Sequence, residues 1–380
     1  MIKQLSFWIS ALFVSASLFA NDECVEPPTP PPPAKKLLPK PKGHANQMAA
    51  AYNAPCRIDV RESWDLFTSA SFLYWQMSQD NMEIAFADEL NVTAYTSENQ
   101  IKGNTVAMDF SFLPGFKVAL GVCTDQDAWD AKIEYTMLHG TSSSSTNGVI
   151  AKGSSSEQGP LFPMWGNNAT LGSNVFNDAS ENWRSNLDVI DMTLSRRYCV
   201  GKSLLFRTSY GGRAAWILQN VHVQYVNSSF SNFTPGTVDI YERSHCWSLG
   251  PRILLLTDWV IGQGFRFFGT AGGDLLYTKY KLQTKTNFIV AADGQTKFFI
   301  GREIVSALRT HLDMDLGLGW GSYFSDNNWY IDLSAGYTFQ VFFDQMMPKS
   351  FNSPGNAGQQ FMGPGNLYAQ GLNLTVRLDF

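Results

Sequence analysis

The chain has 380 residues, with 28 Lys and Arg against 33 Asp and Glu, for a formal net charge of −5. Only 16% of residues are charged while 14% are aromatic, and an ordinary soluble domain carries about a quarter charged residues. That balance excludes the basic footprint of a nucleic-acid binder and leaves too little charge to cover a soluble protein of this size.

Lys3 supplies a short positive region, an apolar run follows from Leu5 to Phe19, and Ala20 is a cleavage residue. Residues 1–20 therefore read as an export signal, too short and one-sided for a mature membrane helix. Residues 21–60 follow as a lead-in with eight prolines between 27 and 41. Such a stretch cannot pair into a sheet, and it is expected to be a disordered, extended periplasmic spacer. No later segment holds about 18 apolar residues without charge. Helical membrane spans are excluded on that ground, and strands are left.

From Ser63 onward the pattern alternates. Trp64–Gln76 is a strand with aromatic ends, and 82–96 is a weaker one. Val106–Val122 contains another, with a kink or bulge expected at Pro114-Gly115, since proline cannot donate to a ladder. In Trp129–His139, Trp129, Ala131, Ile133, Tyr135 and Met137 alternate with Asp130, Lys132, Glu134 and Thr136. Residues 140–182, rich in Ser, Gly and Asn, read as a long surface loop with a short ordered piece around Phe162–Trp165. Further strands are expected at 186–197, 203–217, 219–227, 245–257, 264–282 and 286–301, with a loop at 228–239. The strongest alternation places Ile304, Ser306, Leu308, Thr310, Leu312, Met314, Leu316, Leu318 and Trp320 on one face. Glu303, Ala307, Arg309, His311, Asp313, Asp315, Gly317 and Gly319 share the other. SDNN at 325–328 is a turn, Trp329–Phe343 continues the pattern, and 348–365 is a loop. The last strand sets Tyr368, Gln370, Leu372, Leu374, Val376, Leu378 and Phe380 against Ala369, Gly371, Asn373, Thr375, Arg377 and Asp379.

Period 2 over such lengths, oil on one face and water on the other, is the signature of a transmembrane strand. Hydrocarbon tolerates no open sheet edge, so the sheet must close, the strand near Trp64 pairing with the one ending at Phe380. The expected fold is all-β: an antiparallel transmembrane β-barrel of the outer membrane over residues 61–380, with about 12–16 strands. Trp64, Trp75, Trp129, Trp320, Trp329 and Tyr337 suit interfacial girdles.

The polar faces supply the candidate pore-lining residues Lys132, Glu134, Arg309, His311, Asp313, Asp315, Asp332 and Arg377, with Asp188 and Arg207 as further candidates. Inward charges of this kind set a transverse field in a pore; a locally paired, solvated wall is the plainer reading. No catalytic motif occurs: His139, His222, His245 and His311 lack metal spacing, and GxSxG is absent. No enzyme activity, no cofactor and no metal are expected. The five cysteines contain no CxxC pair. Export permits disulfides, and an odd count leaves one thiol free or paired with another chain. Cys123 and Cys199 read as wall or loop residues without a bonding role.

Several segments resemble the major outer membrane proteins of the Legionella type, with relatives in Chlamydia-like intracellular bacteria. They are Phe72-Leu73-Tyr74-Trp75, Pro114 to Gly121 with Trp129 and Tyr135 downstream, Trp247-Ser248-Leu249-Gly250-Pro251, and Gly264 to Gly269. The resemblance covers about residues 60–380. It implies an outer-membrane porin with host-exposed loops and, in some members, cysteines that cross-link the envelope. The expected function is an aqueous channel for passive diffusion of ions and small hydrophilic solutes. The alternative is a surface adhesin or structural envelope protein with an occluded barrel. The expected partners are outer-membrane lipid and lipopolysaccharide, small solutes, periplasmic polymer or other envelope proteins, and a host surface. Porins of this kind are often trimers, which makes a homotrimer one expectation.

Overall fold

A computed structural model describes residues 54–55, 58, 60, 64–88, 103–124, 129–148, 161–165, 176–227, 236–290, 296–346 and 364–380. The export signal, most of the proline-rich lead-in and the 348–363 part of the last loop lie outside the described residues.

Ten long strands close into one antiparallel ring. In chain order the strands are β1 (Ala54–Pro55), β2 (Leu66–Gln79), β3 (Glu83–Asp88), β4 (Gly103–Ala107), β5 (Phe112–Cys123), β6 (Trp129–Asn147) and β7 (Leu161–Pro163). They continue with β8 (Asp178–Val200), β9 (Leu204–Asn227), β10 (Gly236–Gly262), β11 (Phe265–Val290), β12 (Thr296–Phe324), β13 (Trp329–Met346) and β14 (Gly365–Asp379). The ring runs β2-β5-β6-β8-β9-β10-β11-β12-β13-β14 and returns to β2. Its seam is the pairing of β14 with β2, in register from Leu367↔Gln79 to Asp379↔Phe67. Leu66 and Phe380 exchange backbone hydrogen bonds at 3.0 and 3.3 Å, so the seam is satisfied to its last residue. Gly371 sits on this seam with φ +153°, and a Cβ there would lie 2.2 Å from the Tyr74 carbonyl oxygen. Only glycine lets β14 approach β2 this closely.

The alternation in the sequence sets the two faces. On β12 the outward side chains include Ile304, Leu308, Met314, Leu316 and Leu318, all exposed, while His311 on the inward face is fully buried. The two ends of the barrel differ. One holds short connections: 201–203, 263–264 and 325–328. Gln263 and Gly264 both have positive φ (52° and 85°), as a two-residue hairpin turn requires. The other end carries the longer connections 80–111, 148–177 and 347–364. Short turns face the periplasm and long loops the exterior.

An apolar outer belt is bounded by aromatic rings. At the short-turn end Trp329 lies against Phe324 and Phe380, with ring centroids 6.3 and 5.6 Å apart. At the loop end Trp247 meets Tyr277 edge-on at 6.0 Å, and Tyr74 stacks on Phe112 at 5.4 Å. Beyond Trp247 and Tyr277 the outward residues of β10 and β11 turn mostly polar, and β8–β12 project past the membrane. β3, β4 and β7 form a separate three-stranded sheet, built from the connections on either side of β5 and β6. It contributes Ile84, Ala85 and Leu161, all fully buried, to the apolar cluster inside the ring.

The ring has fewer strands than the 12–16 expected. A strand that leaves the membrane exchanges its outward apolar residues for polar ones, and the sequence pattern then breaks within one strand. The segments 203–217 and 219–227 are one strand, β9, whose outward face changes from Trp216 to Asn220, His222 and Gln224. The expected 286–301 strand is the end of β11 and the start of β12. The weak 82–96 strand leaves the wall as β3. Ser142–Ser145, read as loop, continue β6, and the expected piece near Phe162 is β7. No bulge forms at Pro114: β2 and β5 pair without a register shift, and the proline ends the β5–β6 ladder, which begins at Gly115. Trp75 is no girdle residue; it points inward and is fully buried. Asp188 faces outward, where it accepts hydrogen bonds from Tyr135 Oη at 2.7 Å and pairs with His139 Nε2 at 2.9 Å.

Candidate functional site: the barrel lumen

The inward faces of the ten strands build the lumen in layers. Nearest the short-turn end is a polar cavity of about 700 Å³. Six of the eight expected pore-lining residues border it: Lys132, Glu134, Asp313, Asp315, Asp332 and Arg377. Their charges are mostly paired across or along the wall. Lys132 Nζ is 2.9 Å from Glu134 Oε2, and Arg377 donates to both carboxylate oxygens of Asp379 at 2.6 and 2.9 Å. Arg266 donates to Asp332 at 2.5 and 2.9 Å and to Asp258 at 3.2 Å. Arg207 is bonded to Asp130. Lys117 stands over the Trp75 ring at 4.9 Å.

Above the cavity lies a buried ionic layer. Arg213 donates through Nε and Nη2 to the two oxygens of Asp191, each at 2.7 Å. Its Nη1 lies 3.1 Å from Asp274. Arg252 bridges Asp274 at 2.8 Å and Asp313 at 2.7 Å. His311 Nδ1 is 2.6 Å from Asp274 Oδ2, and its ring lies 4.1 Å from that of Phe342. Residues from β8, β9, β10, β11 and β12 thus meet across the interior. Asp274, His311 and Asp313 bring their ligand atoms within 4.8 Å of one another, the spacing of a metal site. The chemistry does not fit a cation, because two guanidiniums already occupy those carboxylates.

Next comes an apolar layer. Trp75, Trp183, Tyr225 and Tyr280 are each under 2% exposed, and they pack with Leu73, Leu138, Leu187, Ile217, Leu276 and the inner three-stranded sheet. Every strand of the ring reaches this cluster or packs against it. Tyr225 Oη donates to the Ile84 carbonyl at 2.6 Å and accepts from the Trp165 amide at 3.1 Å, so one phenol ties β3 and the end of β7 to the wall. Arg309 lies at this level rather than at the cavity, donating to Asp344 at 3.0 Å. Among the described residues the lumen is therefore polar at the periplasmic end and filled with apolar side chains below the loops.

Two carboxyls on the extracellular projection stand out. Glu181 on β8 faces inward and neither of its oxygens has a hydrogen-bond partner. Burial, then the charge of Glu83, pushes its pKa up to about 8. Burial also pushes Glu242 on β10 up to about 8. Burial disfavours the charged form of both, and at Glu242 a hydrogen bond from Thr284 offsets it in part.

The ionic layer was not legible strand by strand. Arg213, Arg252, Asp191 and Asp274 each sit at an ordinary inward position, and nothing local in the sequence links them. Arg252 follows Gly250-Pro251 and Asp274 follows Gly272-Gly273, so each large charged side chain comes after small ones that leave room. Cys199 is disulfide-bonded, with its other half outside the described residues, which corrects the expectation that it has no bonding role. Cys123 and Cys246 are free thiols.

A closed antiparallel ring with an even number of strands, an apolar outer belt, aromatic girdles and a charged interior defines an outer-membrane β-barrel protein. Among solved structures the chain is similar to the outer membrane protease OmpT of Escherichia coli, at 9% identity and TM-score 0.39, covering 85% of this chain and 99% of that one. A Pseudomonas aeruginosa FadL homologue is similar at 7% identity and TM-score 0.24, over 83% of this chain and 90% of that one. No curated protein matches. The sequence profile of the Legionella pneumophila major outer membrane protein precursor matches residues 53–380, and the chain belongs to that family.

Proposed function

We propose that the protein is a channel for small hydrophilic solutes that the described conformation holds closed. The carrying observation is the two-layered lumen: a charged cavity bordered by all ten strands, ending at an apolar plug whose inner sheet comes from two connections rather than from the wall. A solute entering from the periplasmic end meets paired charges that bias ion passage. It is stopped where Trp75, Trp183 and the inner sheet pack. Opening then means displacing β3, β4 and β7. No cofactor and no catalytic step is required.

A second reading rests on the same packing. Inward aromatic side chains are an unusual lining for an aqueous pore, and a barrel filled in this way serves as a structural or surface-displaying envelope protein.

Conductance of the refolded protein in a planar bilayer separates the two. The expected result is a mostly silent wild type and steady, salt-dependent steps from the Ile84→Asp/Leu161→Asp variant, which drives charge into the plug. Steady steps from the wild type would show that the lumen is open as it stands. Silence from both folded proteins would move the function to the surface loops.

A further inference from the structure

On β10, β11 and β12 the outward face just beyond the loop-end girdle is basic. Trp247 and Tyr277 mark the end of the apolar belt. The next outward residues on β11 are Lys279, Lys281 and Lys285, interrupted only by Gln283. On β10 they are His245 and Arg243, and on β12 Ser306, Ile304 and Arg302. The register makes one patch of them: Trp247 is opposite Lys279, His245 opposite Lys281, and Arg243 opposite Gln283, which is itself opposite Arg302. Arg243, His245, Lys281 and Arg302 are exposed, and Lys279 and Lys285 half-exposed. Asp239 is the acidic residue on this face of the three strands, and His222 and Gln224 already occupy it at 3.0 and 2.9 Å. Inside the ring the pattern is the reverse, with nearly every arginine held by a carboxylate. Partial burial and the neighbouring Arg243 and Lys281 pull His245 below its ordinary pKa, as uncompensated positive charge requires.

Like charges on adjacent strands repel and cost stability unless something neutralises them. Their height supplies the partner. Lys279 is two residues past Tyr277, roughly 7 Å along the strand. That places it where the acyl chains of the outer leaflet end and the headgroups begin. We infer that this patch is a binding site for the phosphate groups of an outer-leaflet lipid, with Lys279, Lys281 and Arg302 as its main contacts. Lys and Arg above the belt bind phosphate oxygens by charge-assisted hydrogen bonds, and Trp247 and Tyr277 lie against the upper acyl chains. The inference is independent of whether the lumen conducts.

The test uses the full-length protein refolded into neutral vesicles that contain bisphosphorylated lipid A or its dephosphorylated form. The readout is the lipid A that co-purifies with each barrel. Each basic side chain at an anionic surface is worth roughly fivefold, so the Lys279→Ser/Lys281→Ser/Arg302→Ser variant is expected to retain roughly a hundredfold less phosphorylated lipid. Lys202→Ser, at the short-turn end, is expected to match the wild type. Dephosphorylated lipid A is expected to be retained weakly by all three proteins. Equal retention by the triple variant, or equal retention of the dephosphorylated lipid, would overturn the inference. Should the triple variant not fold, the wild type alone decides: retention must fall several-fold with added salt, and salt-insensitive retention would overturn the inference equally.

Discussion

The inward charges of this barrel are individually costly, and each is held only by its neighbours. Removing a buried ion-pair partner leaves an uncompensated charge, a loss of about 3–5 kcal/mol, whereas the intact pair roughly breaks even against an apolar replacement. Arg213, Arg252, Asp191, Asp274 and Asp313 therefore act as a unit that fixes how β8 to β12 face one another. Glu181 is the opposite case, a buried carboxyl with no partner. Its pKa rises from 4.5 to about 8 on folding. The native state then holds a proton that the unfolded chain has lost, so stability is full below about pH 4.5 and falls as the pH rises towards 8. Glu242 acts in the same direction. Once ionised, Glu181 also repels Glu83 on the inner sheet. Protease cleavage of that sheet is expected to accelerate between about pH 5 and about pH 9 in the wild type. In Glu181→Gln most of that dependence should vanish, and an unchanged profile would rule out Glu181 as its source.

At the scale of elements, the inner sheet is a unit separate from the ring. β3, β4 and β7 are short, lie outside the ring ladder and are held by the Tyr225 phenol, by the backbone bridge between Leu161 and Phe176 and by apolar contact. Tyr225→Phe removes the hydroxyl that accepts from the Trp165 amide and donates to the Ile84 carbonyl. Leaving a buried amide unpaired costs about 1–3 kcal/mol. Hydrogen exchange over residues 83–88 is therefore expected to quicken about tenfold, while exchange in β10 and β11 stays as it was. Uniform quickening across the barrel would mean that the sheet is part of the wall's cooperative unit. The long strands have a complementary logic. Their membrane segment needs only about 9–11 residues, and the remainder lifts the basic patch and the loops clear of the belt.

For the whole molecule the decisive quantity is where the bilayer sits. Met314 lies midway along the apolar stretch of β12, and Ile304 lies beyond the girdle, although the two are comparably exposed. Arginine at the bilayer midplane costs about 2–4 kcal/mol, and near the interface at most about 1 kcal/mol. Met314→Arg should therefore lower the folding free energy in vesicles by the larger amount, and Ile304→Arg by little. A large penalty at Ile304 would move the belt upward and place the basic patch inside hydrocarbon, which charged side chains would not tolerate.

The sequence by itself determined the class of fold and, for the strongly alternating strands, which side meets lipid. Both follow from a period of two, and the period is local: Leu372, Leu374 and Val376 declare their face with no reference to any other strand. It also placed Lys132, Glu134, Asp313, Asp315, Asp332 and Arg377 on inward positions by the same rule. The strand count, the inward turn of Trp75 and the outward one of Asp188 were decided only by the tertiary structure. A strand outlives its hydrophobic pattern once it leaves the membrane, so periodicity alone cuts long strands short. The ionic layer and the plug were decided there too. Arg213 finds His311 across 98 positions of sequence, and Tyr225 finds Ile84 across 141. Such contacts exist only once the ring has closed and its interior is too narrow for these side chains to avoid one another.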